Sequence, residues 1–126
     1  MDSPTPIMPI QPKTMVIIDD EVDLRQLVAT FFRKRGWTVH EFGTLTEGLS
    51  GIETHEPAIL FLDNNLPDGI GWEKAPQLAS RFPEMHMNLI SGYHPTPPLM
   101  PNGAHCQVLE KPFSLKGFES LAATDQ

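Results

Sequence analysis

Acidic, hydroxyl and basic side chains follow four apolar runs of the sequence. In chain order, MVII is followed by Asp19 and Asp20, AILFL by Asp63, MNLI by Ser91, and QVLE by Lys111. Three carboxylates close together repel one another unless a cation offsets their charge, and Mg²⁺ prefers oxygen ligands of this kind. A lysine and a hydroxyl beside them suit a phosphoryl group, which a carboxylate can accept covalently. The pattern therefore predicts magnesium-assisted phosphoryl transfer onto an aspartate.

These side chains share one site only if the apolar runs are parallel strands of one sheet. Continuous apolar runs indicate strands that are buried on both faces. Between the first two runs, apolar residues recur at helical spacing from Leu24 to Phe31, and Gly36 ends that pattern. Alternating strands and helices predict a doubly wound α/β fold with a parallel sheet. Ligands of such sheets bind at the carboxyl ends of the strands.

Local signals mark where two further helices begin. Thr44 and Glu47 match a capping box, and Ser114 is a suitable N-cap for a short last helix. Gly48 and Gly51 lie inside the helix that Thr44 opens, and each weakens it by roughly 1 kcal/mol relative to alanine. Tertiary packing must therefore hold that helix.

WTVHEF, residues 37–42, is a further strand candidate and the second in chain order. The stretch HPTPPLMPNG, residues 94–103, lies where a helix is expected between the fourth and fifth strands. A proline inside a helix costs ~3 kcal/mol and removes a backbone donor, and this stretch holds four prolines. Asn102–Gly103 adds a turn signal. Leu99 and Met100 are the main apolar anchors. We therefore predict a mobile loop without regular helix.

Length and charge restrict the class of protein. A chain of 126 residues fits one domain, and we place it at residues 14–122, between a proline-rich mobile tail at 1–13 and a short tail at 123–126. The net charge of −7 argues against nucleic acid as a partner. The sequence shows no signal peptide and no membrane-length apolar run, which predicts a cytoplasmic protein.

Each candidate residue also has an ordinary structural explanation. Asp19 and Asp20 could cap the first helix, Asp63 could belong to a turn, and Ser91 could be a strand-end hydroxyl. However, two acids, a third acid, a hydroxyl and a lysine come in this order, and each group lies at the end of its own strand. This arrangement favours a phosphoryl-transfer site over the separate structural explanations. A flavin or nucleotide enzyme on the same fold would need a glycine-rich phosphate loop, and the sequence contains none.

The segments VIIDDE, LFLDNNLPDGIG, LISGY and LEKPF together resemble the receiver domain of two-component response regulators. The resemblance runs from about Thr14 to Leu121. It implies a flavodoxin-like, five-stranded parallel sheet of order 2-1-3-4-5. In this chain the proline-rich loop replaces the helix between strands four and five.

The resemblance also implies roles for the acidic residues. Asp63 would accept a phosphoryl group from a phosphohistidine on a sensor histidine kinase or phosphotransfer protein. Mg²⁺ would be bound directly by Asp20 and Asp63, through water by Asp19, and by the backbone carbonyl of Asn65. The domain would then signal by contact with a downstream protein, as a phosphoacceptor rather than an enzyme.

Further implied roles concern the phosphoryl group and the switch. Ser91 would hydrogen-bond the phosphoryl group, Lys111 would pair with one of its oxygens, and the peptide before Pro112 would be cis. Receivers usually carry an aromatic residue three positions before the lysine, where this chain has Val108. Valine has no ring that could move on phosphorylation. Tyr93 is therefore the candidate to take over this signalling role, although Tyr93 could equally be a packed or exposed aromatic.

Two questions stay open at this level. A hinge at Ser91, Gly92 and Tyr93 is the favoured route by which phosphorylation would reach the proline-rich loop, and the alternative is that this loop is an inert, shortened connection. The alternative function is a degenerate receiver that acts as a phosphorylation-independent interaction module. The intact set of acids and lysine argues against that alternative. The sequence leaves open whether the chain acts alone or is a piece of a longer regulator.

Overall fold

The computed structural model describes residues 6–93 and 96–123, so predictions for residues 1–5, 94, 95 and 124–126 lie outside it. Its central feature is a parallel sheet. The five strands are β1 (Gln11–Ile18), β2 (Thr38–Phe42), β3 (Pro57–Asp63), β4 (His86–Ser91) and β5 (Cys106–Glu110). Their order is β2-β1-β3-β4-β5, which confirms the predicted topology and places β2 at an edge.

Three helices connect strands in the described part of the chain, and a fourth follows the last strand. The connecting helices are α1 (Val22–Arg33), α2 (Leu45–His55) and α3 (Ala75–Arg81), and α4 (Glu119–Ala122) follows β5. Turns of 3₁₀-helix at Gly71–Lys74 and Leu115–Phe118 precede α3 and α4. A small hairpin pairs Asn65–Leu66 with Gly69–Ile70 directly after β3. None of the helices in the described part of the chain is long and apolar enough to cross a membrane.

The central strands β3 and β4 are buried on both faces, as their continuous apolar runs predict, whereas the edge strand β5 is partly buried to exposed. All seven residues of β3 are buried. Leu60 and Leu62 belong to one core cluster with residues of α2 and α3. Ile59 and Phe61 belong to the other cluster with residues of α1 and α4. This burial holds the carboxyl end of β3, and with it Asp63, in a fixed place.

The glycines of α2 let the helix lie directly on the sheet. A Cβ atom on Gly48 would come 2.3 Å from Cδ1 of Ile18 in β1. A Cβ atom on Gly51 would come 2.3 Å from Cε2 of Phe42 in β2. The residues that weaken the isolated helix are therefore the ones that permit its packing.

Two side chains cap the N-terminus of α2. The predicted N-cap Thr44 accepts a hydrogen bond from the Glu47 backbone N–H at 3.3 Å. Asp68, from the hairpin after β3, accepts from the backbone N–H groups of Leu45 at 2.7 Å and Thr46 at 2.8 Å. These bonds and one from the Thr46 hydroxyl lower the pKa of Asp68 to about 2. The hairpin that follows Asp63 is thereby joined to α2.

The domain begins earlier than the sequence predicts. Strand β1 starts at Gln11, so the expected boundary at Thr14 falls inside the strand. The backbone N–H of Met8 donates to the carbonyl of Arg81 at 2.8 Å, and Met8 and Ile10 pack against the core. Apolar side chains between the prolines explain why this segment joins the domain.

The connection between β4 and β5 contains no helix in its described part, residues 96–105. The N–H of Ala104 donates to the carbonyl of Pro101 at 3.2 Å, and Gly103 has a φ of +82°, which suits a turn. Met100 and Ala104 pack against the core. The expectation that Leu99 anchors the loop is wrong, because Leu99 is 95% exposed.

Candidate functional site

Three carboxylates meet at the carboxyl ends of β1 and β3. Asp19 and Asp20 follow β1, and Asp63 is the last residue of β3. One oxygen of each lies within 4.8 Å of one oxygen of both others. Asp19 is 0% and Asp63 is 3% exposed, whereas Asp20 lies at the surface. The structure thus assembles the acids that the sequence singles out.

Lys111 enters the same site from the end of β5. Its Nζ lies 3.1 Å from Oδ2 of Asp19 and 3.5 Å from Oδ1 of Asp63. It also donates a hydrogen bond to Oε1 of Glu21, a contact that the sequence does not predict. The backbone N–H of Lys111 donates to the carbonyl of Ser91 at 2.7 Å. The peptide between Lys111 and Pro112 is cis, as the resemblance implies.

Burial and mutual repulsion shift the pKa values of the site. Burial first, and then the charge of Asp19, raise the pKa of Asp63 to about 6. Burial also raises the pKa of Asp19. Burial alone would lower the pKa of Lys111, but its hydrogen bond to Glu21 and the charges of Asp19 and Asp63 together raise it. One lysine therefore only partly offsets the clustered acids.

The donor set fits a divalent cation with oxygen ligands. Oδ1 of Asp19 accepts from the N–H of Glu21 at 2.8 Å. Oδ2 of Asp19 is buried and forms an ion pair with Nζ of Lys111 at 3.1 Å, and it accepts no hydrogen bond from another group among the described residues. Carboxylates gathered around such an oxygen are suitable ligands for Mg²⁺. A bound cation would also relieve the repulsion that raises the pKa of Asp63.

The acids after β1 are not helix caps. The N-cap of α1 is Glu21, which makes no side-chain cap hydrogen bond. Asp19 instead binds the N–H of Glu21 within the turn, and its own carbonyl accepts from Nη1 of Arg25 at 2.8 Å. These contacts fix the turn that presents Asp19 and Asp20 to the site.

Ser91 ends β4 next to Asp63 and is bound to its own loop. Its buried hydroxyl donates to the carbonyl of Tyr93 at 2.5 Å and accepts from the N–H of Tyr93 at 3.2 Å. The hydroxyl of Tyr93 accepts from Nδ2 of Asn65 at 3.3 Å. Gly92 and the side chain of Tyr93 are exposed, so Tyr93 is not a packed core aromatic.

Val108 lies beside Leu89 in the sheet and its side chain is exposed. The structure thus has an aliphatic, exposed residue where receivers usually carry an aromatic. A switch through an inward-moving ring at this position is excluded by the residue type alone.

Three residues that follow Asp63 in the chain, Asn64, Gly71 and Trp72, fix the backbone beside it. Their role was not predicted from the sequence. Asn64 is buried, and its Oδ1 accepts from the N–H of Trp72 at 3.2 Å. The carbonyl of Asn64 accepts from the N–H of Gly71 at 2.9 Å. A Cβ atom on Gly71 would come 2.1 Å from the carbonyl oxygen of Asp63. The glycine in the GIG segment was the signal for this close approach.

Solved structures share the fold. A receiver domain protein of Methanospirillum hungatei matches with a TM-score of 0.72 at 21% identity, over 89% of this chain and 94% of that chain. A response regulator of Burkholderia pseudomallei, solved with a phosphorylated aspartic acid, a calcium ion and citrate, matches with a TM-score of 0.69 at 20% identity. That match covers 90% of this chain and 66% of that chain. These likenesses establish the fold.

Curated relatives are longer than this chain. The probable transcriptional regulatory protein TcrX of Mycobacterium tuberculosis is 28% identical over 64% of this chain and 35% of its own length. The KDP operon transcriptional regulatory protein KdpE of Escherichia coli is 37% identical over 47% of this chain and 26% of its own length. The family model of the response regulator receiver domain matches residues 15–121. The chain therefore belongs to the response regulator receiver domain family.

Proposed function

We propose that this domain accepts a phosphoryl group on Asp63, in a reaction that requires Mg²⁺. The donor is a phosphohistidine on a sensor histidine kinase or a phosphotransfer protein, and the exchange takes place in the cytoplasm. The output is contact with a downstream protein rather than with nucleic acid. The observation that supports this proposal best is the meeting of Asp19, Asp20 and Asp63 with the ammonium of Lys111.

Different residues have different roles in the phosphoryl transfer. An ionised oxygen of Asp63 forms the new bond to phosphorus while the phosphorus–nitrogen bond of the donor breaks, and the donor imidazole keeps the electron pair. With a pKa of about 6, Asp63 is mostly ionised at neutral pH. Asp20, Asp63, the Asn65 carbonyl and, through water, Asp19 would hold Mg²⁺. When bound, the ion supplies positive charge to the phosphoryl oxygens.

Lys111 and Ser91 act on the phosphorylated form. Lys111 lies 3.5 Å from Oδ1 of Asp63, within reach of an oxygen of a phosphoryl group attached there. Ser91 must give up its hydrogen bond to the carbonyl of Tyr93 before its hydroxyl can donate to that group. The backbone at Gly92 and Tyr93 would therefore change, and Val108 would contribute only its exposed aliphatic surface.

The proposed output surface is the loop that continues from Tyr93. A change at residues 91–93 passes directly into the proline-rich connection, which has few core contacts in its described part, mainly Met100 and Ala104. We propose that phosphorylation shifts the conformations of this loop and so forms the partner site. Loss of the hydrogen bond between Tyr93 and Asn65 would accompany the shift.

The test is phosphoryl uptake from acetyl phosphate, measured by intact mass. Wild type with Mg²⁺ gains one phosphoryl group, whereas wild type in EDTA and the Asp63→Asn variant gain none. Asp23→Asn is a matched control, because Asp23 is an exposed acid in the first turn of α1. Failure of the wild-type protein to take up phosphate under all conditions would favour the phosphorylation-independent interaction module.

A further inference from the structure

We infer that Glu21 is a positioning residue: it shares the ammonium of Lys111 with Asp19 and Asp63 in the unphosphorylated domain, and it keeps the ammonium when Mg²⁺ takes those two carboxylates. The inference rests on the proposed function for the Mg²⁺ site, but it does not depend on phosphoryl transfer. Its basis is the hydrogen bond from Nζ of Lys111 to Oε1 of Glu21.

The contact joins two separate parts of the chain at the rim of the site. Glu21 is the N-cap residue of α1, and Lys111 follows β5. The Glu21 side chain is 60% exposed, whereas that of Lys111 is only 15% exposed. The turn orients Glu21, because its N–H donates to Oδ1 of the buried Asp19 at 2.8 Å. Glu21 therefore attracts the ammonium toward solvent, while Asp19 and Asp63 attract it inward.

An ammonium and a divalent cation compete for the same oxygens in this site. Lys111 lies 3.1 Å from Oδ2 of the buried Asp19. It lies 3.5 Å from Oδ1 of Asp63. Mg²⁺ bound by these groups repels the ammonium, which needs another anionic partner. Glu21 is that partner.

Removal of the Glu21 charge leaves Lys111 with the metal-binding acids alone. Glu21→Gln should therefore weaken Mg²⁺ binding, and most of the loss should disappear when Lys111 carries no charge. A simple loss of negative charge near the metal would instead weaken Mg²⁺ binding equally with and without the ammonium. The coupling between the two positions separates these explanations.

The experiment is a double-mutant cycle on the full chain, with Mg²⁺ affinity measured by calorimetry and by tryptophan fluorescence. The variants are Glu21→Gln, Lys111→Met, which keeps an apolar stem, and their combination. We expect Glu21→Gln to raise the Kd for Mg²⁺ about three- to tenfold in the wild-type background and less than about twofold beside Lys111→Met, in line with coupling between contacting residues. Thermal unfolding checks that each variant is folded.

Asp23→Asn removes the same charge from the first turn of α1 and serves as the control. It should change the Kd for Mg²⁺ less than about twofold, since the electrostatic interactions of solvent-exposed charges are weak. Equal effects of Glu21→Gln in both lysine backgrounds, or no Mg²⁺ binding by wild type, would overturn the inference. A protein that shows the coupling but takes up no phosphate would support the inference while refuting the proposed function.

Discussion

Asp63→Asn should stabilise the folded domain when no metal is present. Asp63 is 3% exposed, and it lies beside Asp19, whose charge raises its pKa after burial itself. The amide of asparagine has nearly the same shape and no charge to bury. Lys111 keeps Asp19 and Glu21 as partners in the variant, so its ammonium is not left without an anionic partner.

The magnitude follows from the pKa. A folded-state pKa of about 6 against the ordinary 3.8 means that folding disfavours the ionised Asp63, by about 3 kcal/mol at neutral pH. Because the pKa is raised on folding, the stabilisation from the protonated carboxyl is fully present below pH 3.8 and is lost as the pH rises through about 6. Allowing for the lost contact to Lys111, we expect Asp63→Asn to add about 1–3 kcal/mol at pH 7.5.

The assay is urea unfolding of both proteins in EDTA at pH 7.5, 6 and 4.5. The gain should be largest at pH 7.5 and should shrink steadily toward pH 4.5. Burial lowers the pKa values of His40 and His86, but this effect is the same in both proteins and cancels in the difference. A variant that is less stable than wild type at pH 7.5, or a gain that does not change with pH, would refute the reasoning.

Four further outcomes are expected. Lys111→Ala should leave the Mg²⁺ affinity at or above that of wild type, since a competing positive charge is removed; a large loss in calorimetry would contradict its assigned role. Gly71→Ala should destabilise the domain by about 1–3 kcal/mol, because the added Cβ would lie 2.1 Å from the Asp63 carbonyl oxygen. Gly92→Ala, where the Cβ would meet no atom within 4 Å, should stay within about 0.5 kcal/mol in the same denaturant titration. Hydrogen exchange at residues 96–103 should slow on addition of beryllofluoride and Mg²⁺, and an unchanged loop would exclude it as the output surface.

The positions of the main site residues follow from strand order alone. Asp19, Asp63 and Lys111 each come directly after an apolar run, and the carboxyl ends of parallel strands lie at one edge of a sheet. The helix cap at Thr44 could also be predicted from the sequence, because it depends on two residues that are only three positions apart. Predictions succeed where the cause lies in neighbouring residues or in a rule of topology.

Contacts between distant residues could not be predicted in the same way. Glu21 has the sequence context of an exposed helix-start acid, and its partner Lys111 is 90 positions away. Asp68 belongs to a turn motif, yet it caps a helix 22 to 23 positions earlier. Leu99 was expected to anchor its loop because it is apolar, but no local pattern tells whether the chain turns such a residue toward the core.

Glycine positions show the same limit. In sequence, Gly48 and Gly51 indicate only a weak helix. The close approach to Ile18 and Phe42 that requires them arises only when α2 packs on β1 and β2. The early start of β1 at Gln11 likewise depends on pairing with Pro57 in β3, which the prolines of the N-terminal segment conceal.

The most direct test of the central claim is to locate the phosphoryl group chemically. The domain is incubated with acetyl phosphate and Mg²⁺, the acyl phosphate is reduced with borohydride, and the peptides are sequenced by mass spectrometry. We expect reduction at residue 63, and none in EDTA. Reduction at Asp19, Asp20 or another acid, or modification that persists without Mg²⁺, would contradict the proposed role of Asp63.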